Sequence, residues 1–265
     1  MTPTLNPVAI VEENLRSAMR FFGEATGNGE VRDDPGVVII NCGRDYGVFN
    51  IALLTAPVLD EPELVERIEA ASRYFKARSY RWSLWLCEDL IETAARRRAR
   101  QIFGQFGMRP ISTPPGMLAE QLRNPARPLP AIECVPVKDA VTREAFAEIT
   151  AATFEIPLAI AREVYTPEQA WHGAYQGFVG IVNGRPQAIV AIAATAGALG
   201  VYSLGTRPES RRKGYGEALM RAALQMSRVR TATDRTILQS TEAGYSLYRR
   251  MGFRDVTRFT VYLTK

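Results

Sequence analysis

The chain has 265 residues, 46% apolar and 23% charged, with a formal charge of +5, one histidine and three cysteines. This length supports one large domain or two small ones with a sizeable core, and no run approaches the roughly 18 apolar residues a membrane-spanning helix needs. Three scattered cysteines and the single His172 fit neither a disulfide framework nor a metal-ligand set, so no metal is expected and a reducing cytoplasm is the expected compartment.

In chain order, the opening "MTPTLNPVAIVEENL" lacks a basic stretch leading into an apolar block, so it does not read as a secretory signal. "NLRSAMRFFGEA" reads as a helix, "GVVIINC" and "YGVFNIALLT" as strands, and "ELVERIEAASRYFKAR" as a helix. "YRWSLWLC" is a strand and "IETAARRRARQIFGQF" a helix whose basic run is expected to face solvent. "RNPARPLPA", 123–131, carries three prolines, which oppose both helix and central strand. The expected division is therefore a domain over 1–123, a Pro-rich linker at 124–131 and a second domain over 131–265.

The second half continues with the strand "AIECVPV", the helix "TREAFAEITAATF" and a further helical piece at "PLAIAREVY". "QGFVGIV" and "QAIVAIAAT" are strands joined at Asn183-Gly184, a pair that tolerates positive φ and so marks a hairpin. "GVYSLGT" is the next strand, and a helix follows from about Glu217, with an apolar stripe of Leu219, Ala222, Ala223, Met226 and Val229. "RTILQS", "AGYSLYRRM" and "VTRFTVYLT" read as strand, helix and strand, with Gly252 ending the helix. "QIFGQFGMRPI" and "SLYRRMGFRDV" share one order of helix, glycine, apolar residue, arginine and strand, which points to an internal duplication. The two halves differ where chemistry is expected. The first half has "APVLDEP", acidic and without glycine, before its helix, and Phe103 where the second has Tyr248.

The informative stretch is "TRPESRRKGYGEAL". Arg211, Arg212 and Lys213 crowd against Gly214 and Gly216 between a strand and a helix start. Unpaired amides, helix dipole and bare backbone in one place suit a phosphate group. A Walker loop is excluded by the absence of Gly-Lys-Ser/Thr at the required spacing, and a dinucleotide fingerprint by a missing third glycine.

Residues 131–265 resemble the GNAT superfamily of acyl-CoA-dependent N-acyltransferases. "SLGTRPESRRKGYGEALMRAAL" is similar to the family's pyrophosphate motif, and "ILQSTEAGYSLYRRMGF" to its second motif. The resemblance implies an α/β fold with a central mixed sheet flanked by helices in two tandem domains, the first half being a degenerate copy. It implies acetyl-CoA as co-substrate and direct transfer, in a ternary complex, to the amine of a small molecule or peptide. By the same resemblance, Arg211, Arg212, Lys213, Gly214, Tyr215, Gly216 and Glu217 hold the coenzyme pyrophosphate. Leu204, Gly205 and Thr206 offer backbone to the pantetheine arm and thioester carbonyl. Tyr248 is the general acid toward the departing thiolate. Ser240 and Thr241 stand near the place of a common family asparagine, so their coenzyme contact departs from the pattern. No carboxylate lies on "LGVYSLGT", which leaves Glu155, Glu242, Tyr202 or a water relay to receive the amine's proton, while His172 reads as structural. The competing reading is a non-catalytic acetyl-CoA-binding regulatory module. The basic runs lack interleaved aromatics, which argues against nucleic acid as a partner, and the chain is expected to be a monomer or homodimer without a membrane partner.

Overall fold

The computed structural model describes residues 6–231 and 233–265. In chain order it contains α1 (Pro7–Glu24), β1 (Glu30–Asp34), β2 (Val37–Asn41), β3 (Ile51–Leu54), α2 (Glu61–Lys76), β4 (Ser83–Cys87), α3 (Thr93–Gln105), β5 (Met108–Ser112) and β6 (Pro115–Ala119). There follow β7 (Glu133–Pro136), α4 (Ala140–Phe154), α5 (Leu158–Tyr165), β8 (Tyr175–Val182), β9 (Arg185–Thr195), β10 (Ala198–Thr206), α6 (Tyr215–Thr231), β11 (Thr236–Gln239), α7 (Glu242–Arg250) and β12 (Arg254–Thr264). The fold is mixed α/β. Among the described residues no helix is long and apolar enough to cross a membrane.

The chain forms two compact units. One contains the segment up to Phe21 together with Met117–Arg254; the other contains Phe22–Gly116 and Asp255–Lys265. This differs from the sequential division at the Pro-rich segment, because each unit takes a terminal piece from the opposite half of the sequence. The forces responsible are non-local. Asn14 on α1 donates to the carbonyls of Ala193, Thr195 and Ala198 at 2.8–3.2 Å and accepts from the Tyr202 hydroxyl at 2.7 Å. Hydrogen bonds of this kind each contribute about 1 kcal/mol net, and these also satisfy buried groups. Phe21 stacks on Tyr175 at 4.3 Å and on Tyr165 at 5.7 Å. In the other unit, β12 pairs antiparallel with β4 from Phe259↔Cys87 to Leu263↔Ser83.

In the first unit the strands lie in the order β7-β8-β9-β10-β11-β6. β8–β9 and β9–β10 are antiparallel, and β10–β11 is parallel. In the other unit the order is β1-β2-β3-β4-β12, with β5 also on β12. Here β1–β2 and β2–β3 are antiparallel and β3–β4 is parallel. Each unit thus contains the same plan: two antiparallel pairings, then a parallel one bridged by a helix, α6 or α2. The glycines at matching helix ends both take the left-handed region, Gly107 at φ 71° and Gly252 at φ 102°. Asn183 and Gly184, at φ 51° and 72°, make the hairpin turn read from the sequence.

Several local readings change. α1 starts at Pro7 rather than Asn14, β1 is additional, and β3 is four residues because 46–50 form a turn tied by the Asn50 side chain. α6 begins at Tyr215. Its buried face is Leu219, Met220, Ala223 and Leu224, packed on Phe178, Val190, Leu199 and Leu238. Met226 and Val229 are exposed, so the apolar stripe turns away from the core in the last turns. On α3 the arginines at 96–98 and 100 are exposed and Ala95, Ala99, Ile102 and Phe103 are buried, as the helix period requires.

Candidate active site

β10 sets the site. Its parallel pairing with β11 covers Leu199↔Thr236 to Val201↔Leu238 and then stops. On its other edge the register with β9 slips between Tyr202 and Gly205, so Ser203 and Leu204 face a single β9 residue, and Ser203 sits at φ 47°. A bulge of this kind bends the strand and leaves backbone groups unpaired. Leu204, Gly205 and Thr206 therefore lie where β10 has left β11. Gly205 lies against Thr153, where a Cβ would come 3.0 Å from the threonine methyl.

After a 3₁₀ turn at Pro208–Ser210, residues 211–214 lead into α6. Arg212 has φ 62° and Gly214 φ 89°. Two left-handed residues thus stand two apart just before the helix, where first-turn amides have no intrahelical partner. The first amide of this region bonded in the helical pattern is Ala218, to Gly214 O at 3.0 Å. The amides of Arg212 to Glu217 have no hydrogen-bond partner among the described residues. Gly216 lets the helix start close on Thr206, whose Oγ1 would be 3.3 Å from an added Cβ.

The cations divide into two kinds. Arg211, though exposed, is tied down, its Nε donating to Thr206 O at 3.3 Å and its Nη2 to Thr153 O at 3.5 Å, so it braces the end of β10. Arg212 and Lys213 are exposed, with no side-chain partner among the described residues. Lys213 and Tyr215 line a cavity of about 440 Å³ on the flank of the β8–β9 hairpin, beside Arg185 and Gln187. Glu217 pairs with Arg221 at 2.9 Å.

Beyond β11, Ser240 is buried and donates to Thr241 O at 2.8 Å, while Thr241 caps α7 by accepting from Gly244 N. Both hydroxyls are thus engaged in starting α7. The neighbouring residue is the one sequence reasoning missed: Gln239 Nε2 is buried with no partner among the described residues. A polar residue closing a short apolar strand is the only sequence signal for it.

Tyr248, on α7, is half-buried, packs against the α6-facing core and meets Phe253 edge-on at 5.8 Å. Its hydroxyl has no hydrogen-bond partner among the described residues, and burial pushes its pKa up to about 12. Gly244, one turn earlier, makes room for it: a Cβ there would lie 2.7 Å from the ring. Among the proposed proton acceptors, Tyr202 is buried with its proton on Asn14, and burial raises its pKa well above the ordinary value. Glu155 caps α4 at φ 55°, Glu242 lies in the first turn of α7, and His172 is exposed at the end of a 3₁₀ turn.

The site is a strand–loop–helix junction in a mixed α/β sheet, with a phenol on the following helix. Residues 169–255 match the family model of the acetyltransferase (GNAT) domain. The whole fold is similar to a GCN5-related N-acetyltransferase from Kribbella flavida, with a TM-score of 0.70 at 19% identity over 99% of this chain and 96% of that one. It is also similar to a putative GNAT-family acetyltransferase from Novosphingobium aromaticivorans (TM-score 0.56, 15% identity, 94% and 96% covered). A third likeness is to a GCN5-related N-acetyltransferase from Sphaerobacter thermophilus (TM-score 0.53, 14% identity, 97% and 93% covered). Among curated proteins, none matches this chain at the level of sequence.

Proposed function

We propose that the protein is an acetyl-CoA-dependent N-acetyltransferase whose site lies within residues 131–265, the first half being a degenerate tandem copy. The observation that carries this reading is the run of unpartnered amides from Arg212 to Glu217, set at the end of a strand that has left its neighbour. Six unpartnered amides with Arg212 and Lys213 beside them fit a diphosphate. The free edge of β10 at Leu204–Thr206 fits an amide-bearing arm, which would add its own hydrogen bonds there. A main-chain donor aimed at a thioester oxygen is worth about 3–4 kcal/mol in transition-state stabilisation.

In the transfer, a neutral amine attacks the thioester carbon and the C–S bond breaks with its electron pair on sulfur. Tyr248, which keeps its proton throughout the working pH range, donates to that sulfur. A phenol near 12 is a weak acid against an ordinary thiolate, but burial raises the thiolate's proton affinity in the same way. The acceptor is an amine of a small molecule or peptide. We place the protein in the cytoplasm, on the odd and scattered cysteines. The competing reading, a coenzyme-binding regulatory module, draws on the lack of a carboxylate on β10; the unpartnered phenol of Tyr248 favours the enzyme.

The test is calorimetric titration with acetyl-CoA, followed by thiol release with a panel of amines, in wild type and Tyr248→Phe. The enzyme reading expects binding by both proteins and a loss of about a hundredfold or more in kcat for the variant. Binding without release from any amine would leave the regulatory module; no binding would end both readings.

A further inference from the structure

Ser203 is the one residue of β10 in the left-handed region, at φ 47°. Serine adopts that region at a cost, and bulges beside active sites re-aim side chains. The consequence is visible in its neighbours. Along a regular strand consecutive side chains face opposite ways. Tyr202 and Ser203 instead enter the same cluster: the Tyr202 ring lies 6.0 Å from that of Tyr175, and Ser203 Oγ lies 2.8 Å from Tyr175 Oη. Tyr165, Tyr175 and Tyr202 are all buried, whereas Ser203 is half-buried, so it is the member of the hydroxyl cluster that reaches the surface.

A serine oxygen has one proton to donate and two lone pairs. Whichever of the two donates in the Tyr175 bond, at least one lone pair remains on the serine oxygen. It lies at the level where β10 parts from β11. Across that gap, Gln239 follows Leu238, which faces the α6 core, so strand alternation turns the glutamine to the opposite face. Its buried, unpartnered Nε2 marks this mouth as built for a polar guest that the described residues do not supply.

We infer that Ser203 is an acceptor-binding residue: its hydroxyl accepts a hydrogen bond from the incoming amine's N–H and turns the nitrogen lone pair toward the thioester carbon, with Tyr175 as its positioning residue. This rests on the transferase reading above. The C–N bond forms from the nitrogen lone pair and the C–S bond breaks onto sulfur. Tyr248 protonates the sulfur and is reprotonated by solvent. The nitrogen's surplus proton passes to water, and Ser203 keeps its own.

The experiment compares wild type, Ser203→Gly and Tyr175→Phe. Glycine accepts the positive φ without strain, so that variant removes the hydroxyl while leaving the bulge its preferred conformation. The probes are acetyl-CoA alone, for affinity, and spermidine, tyramine, glucosamine and an alanine-terminated tripeptide as acceptors. The inference expects kcat/KM for the best of these amines to fall about tenfold or more in Ser203→Gly, and less in Tyr175→Phe, with acetyl-CoA affinity unchanged. Unchanged transfer would overturn it. So would a parallel fall in acetyl-CoA affinity and transfer, which is the signature of a structural role. Wild type that binds acetyl-CoA yet acetylates none of the four amines would overturn the transferase reading first, and this inference with it.

Discussion

The loop before α6 and the loop before α2 hold the same place in the two units, between the third strand of the shared plan and the helix of the parallel crossover. The first exposes six amides without partners. The second satisfies its own: Leu59 N–H donates to Glu63 at 2.7 Å, Glu63 N–H to Asp60 at 2.9 Å, and Val58 N–H to Leu90 O at 2.7 Å. Arg67 lies across this loop, donating to the carbonyls of Ala56 and Pro57 and pairing with Glu63. The strands follow suit. β3 and β4 pair over 51–53, and a further parallel bridge joins Val58 to Ile91, whereas β10 and β11 separate after Val201. The phenol's counterpart, Phe103, is fully buried and stacks on Tyr262 at 4.0 Å. One backbone plan thus yields an open loop when its amides are left unpaired, and a closed structural turn when carboxylates occupy them.

Making the open loop resemble the closed one gives the largest expected effect. Gly214→Asp introduces a carboxylate where φ is 89° and Pro130 Cδ would lie 3.1 Å from the new Cβ. Acetyl-CoA affinity should fall about a hundredfold or more by calorimetry, since like charges brought together cost several kcal/mol. Gly214→Ala, which adds strain without charge, should lose less.

The reverse exchange should fail. Phe103→Tyr adds a hydroxyl to a packed core, so denaturant unfolding should show about 1–3 kcal/mol lost, with no gain in thiol release. A functional gain would mean that the first half retains a working cleft.

Gly244→Ala sharpens the contrast at the phenol. The new methyl displaces the Tyr248 ring, and kcat should fall about tenfold with acetyl-CoA affinity unchanged. The smallest effect is on pH. Burial raises the Tyr248 pKa to about 12, so the proton needed on the phenol is retained as pH rises past the ordinary value of about 10. No alkaline loss of kcat below about pH 10 should arise from this group. An alkaline limb near pH 8 that disappears in Tyr248→Phe would contradict its protonated role.

Much of this was legible in the sequence because it rests on local chemistry. Asn183-Gly184, Gly214 and Gly252 announce positive φ, and the strand, basic glycine loop and helix around 206–217 follow from short-range pattern. What escaped depends on partners far along the chain. The seat of α1 is fixed by Asn14 reaching β9 and β10, some 180 residues away. The place of β12 is fixed by pairing with β4. Composition treats Arg211, Arg212 and Lys213 alike, and only the path of the loop ties Arg211 to Thr206 and Thr153. The bulge at Ser203 has no sequence mark, because serine in a strand ordinarily has negative φ.

The contrast between an open and a closed loop is tested most directly by the binding stoichiometry of acetyl-CoA on the intact chain. Titration calorimetry should give one molecule per chain, abolished by Gly214→Asp. Two molecules per chain, or one that persists undiminished in that variant, would contradict the account.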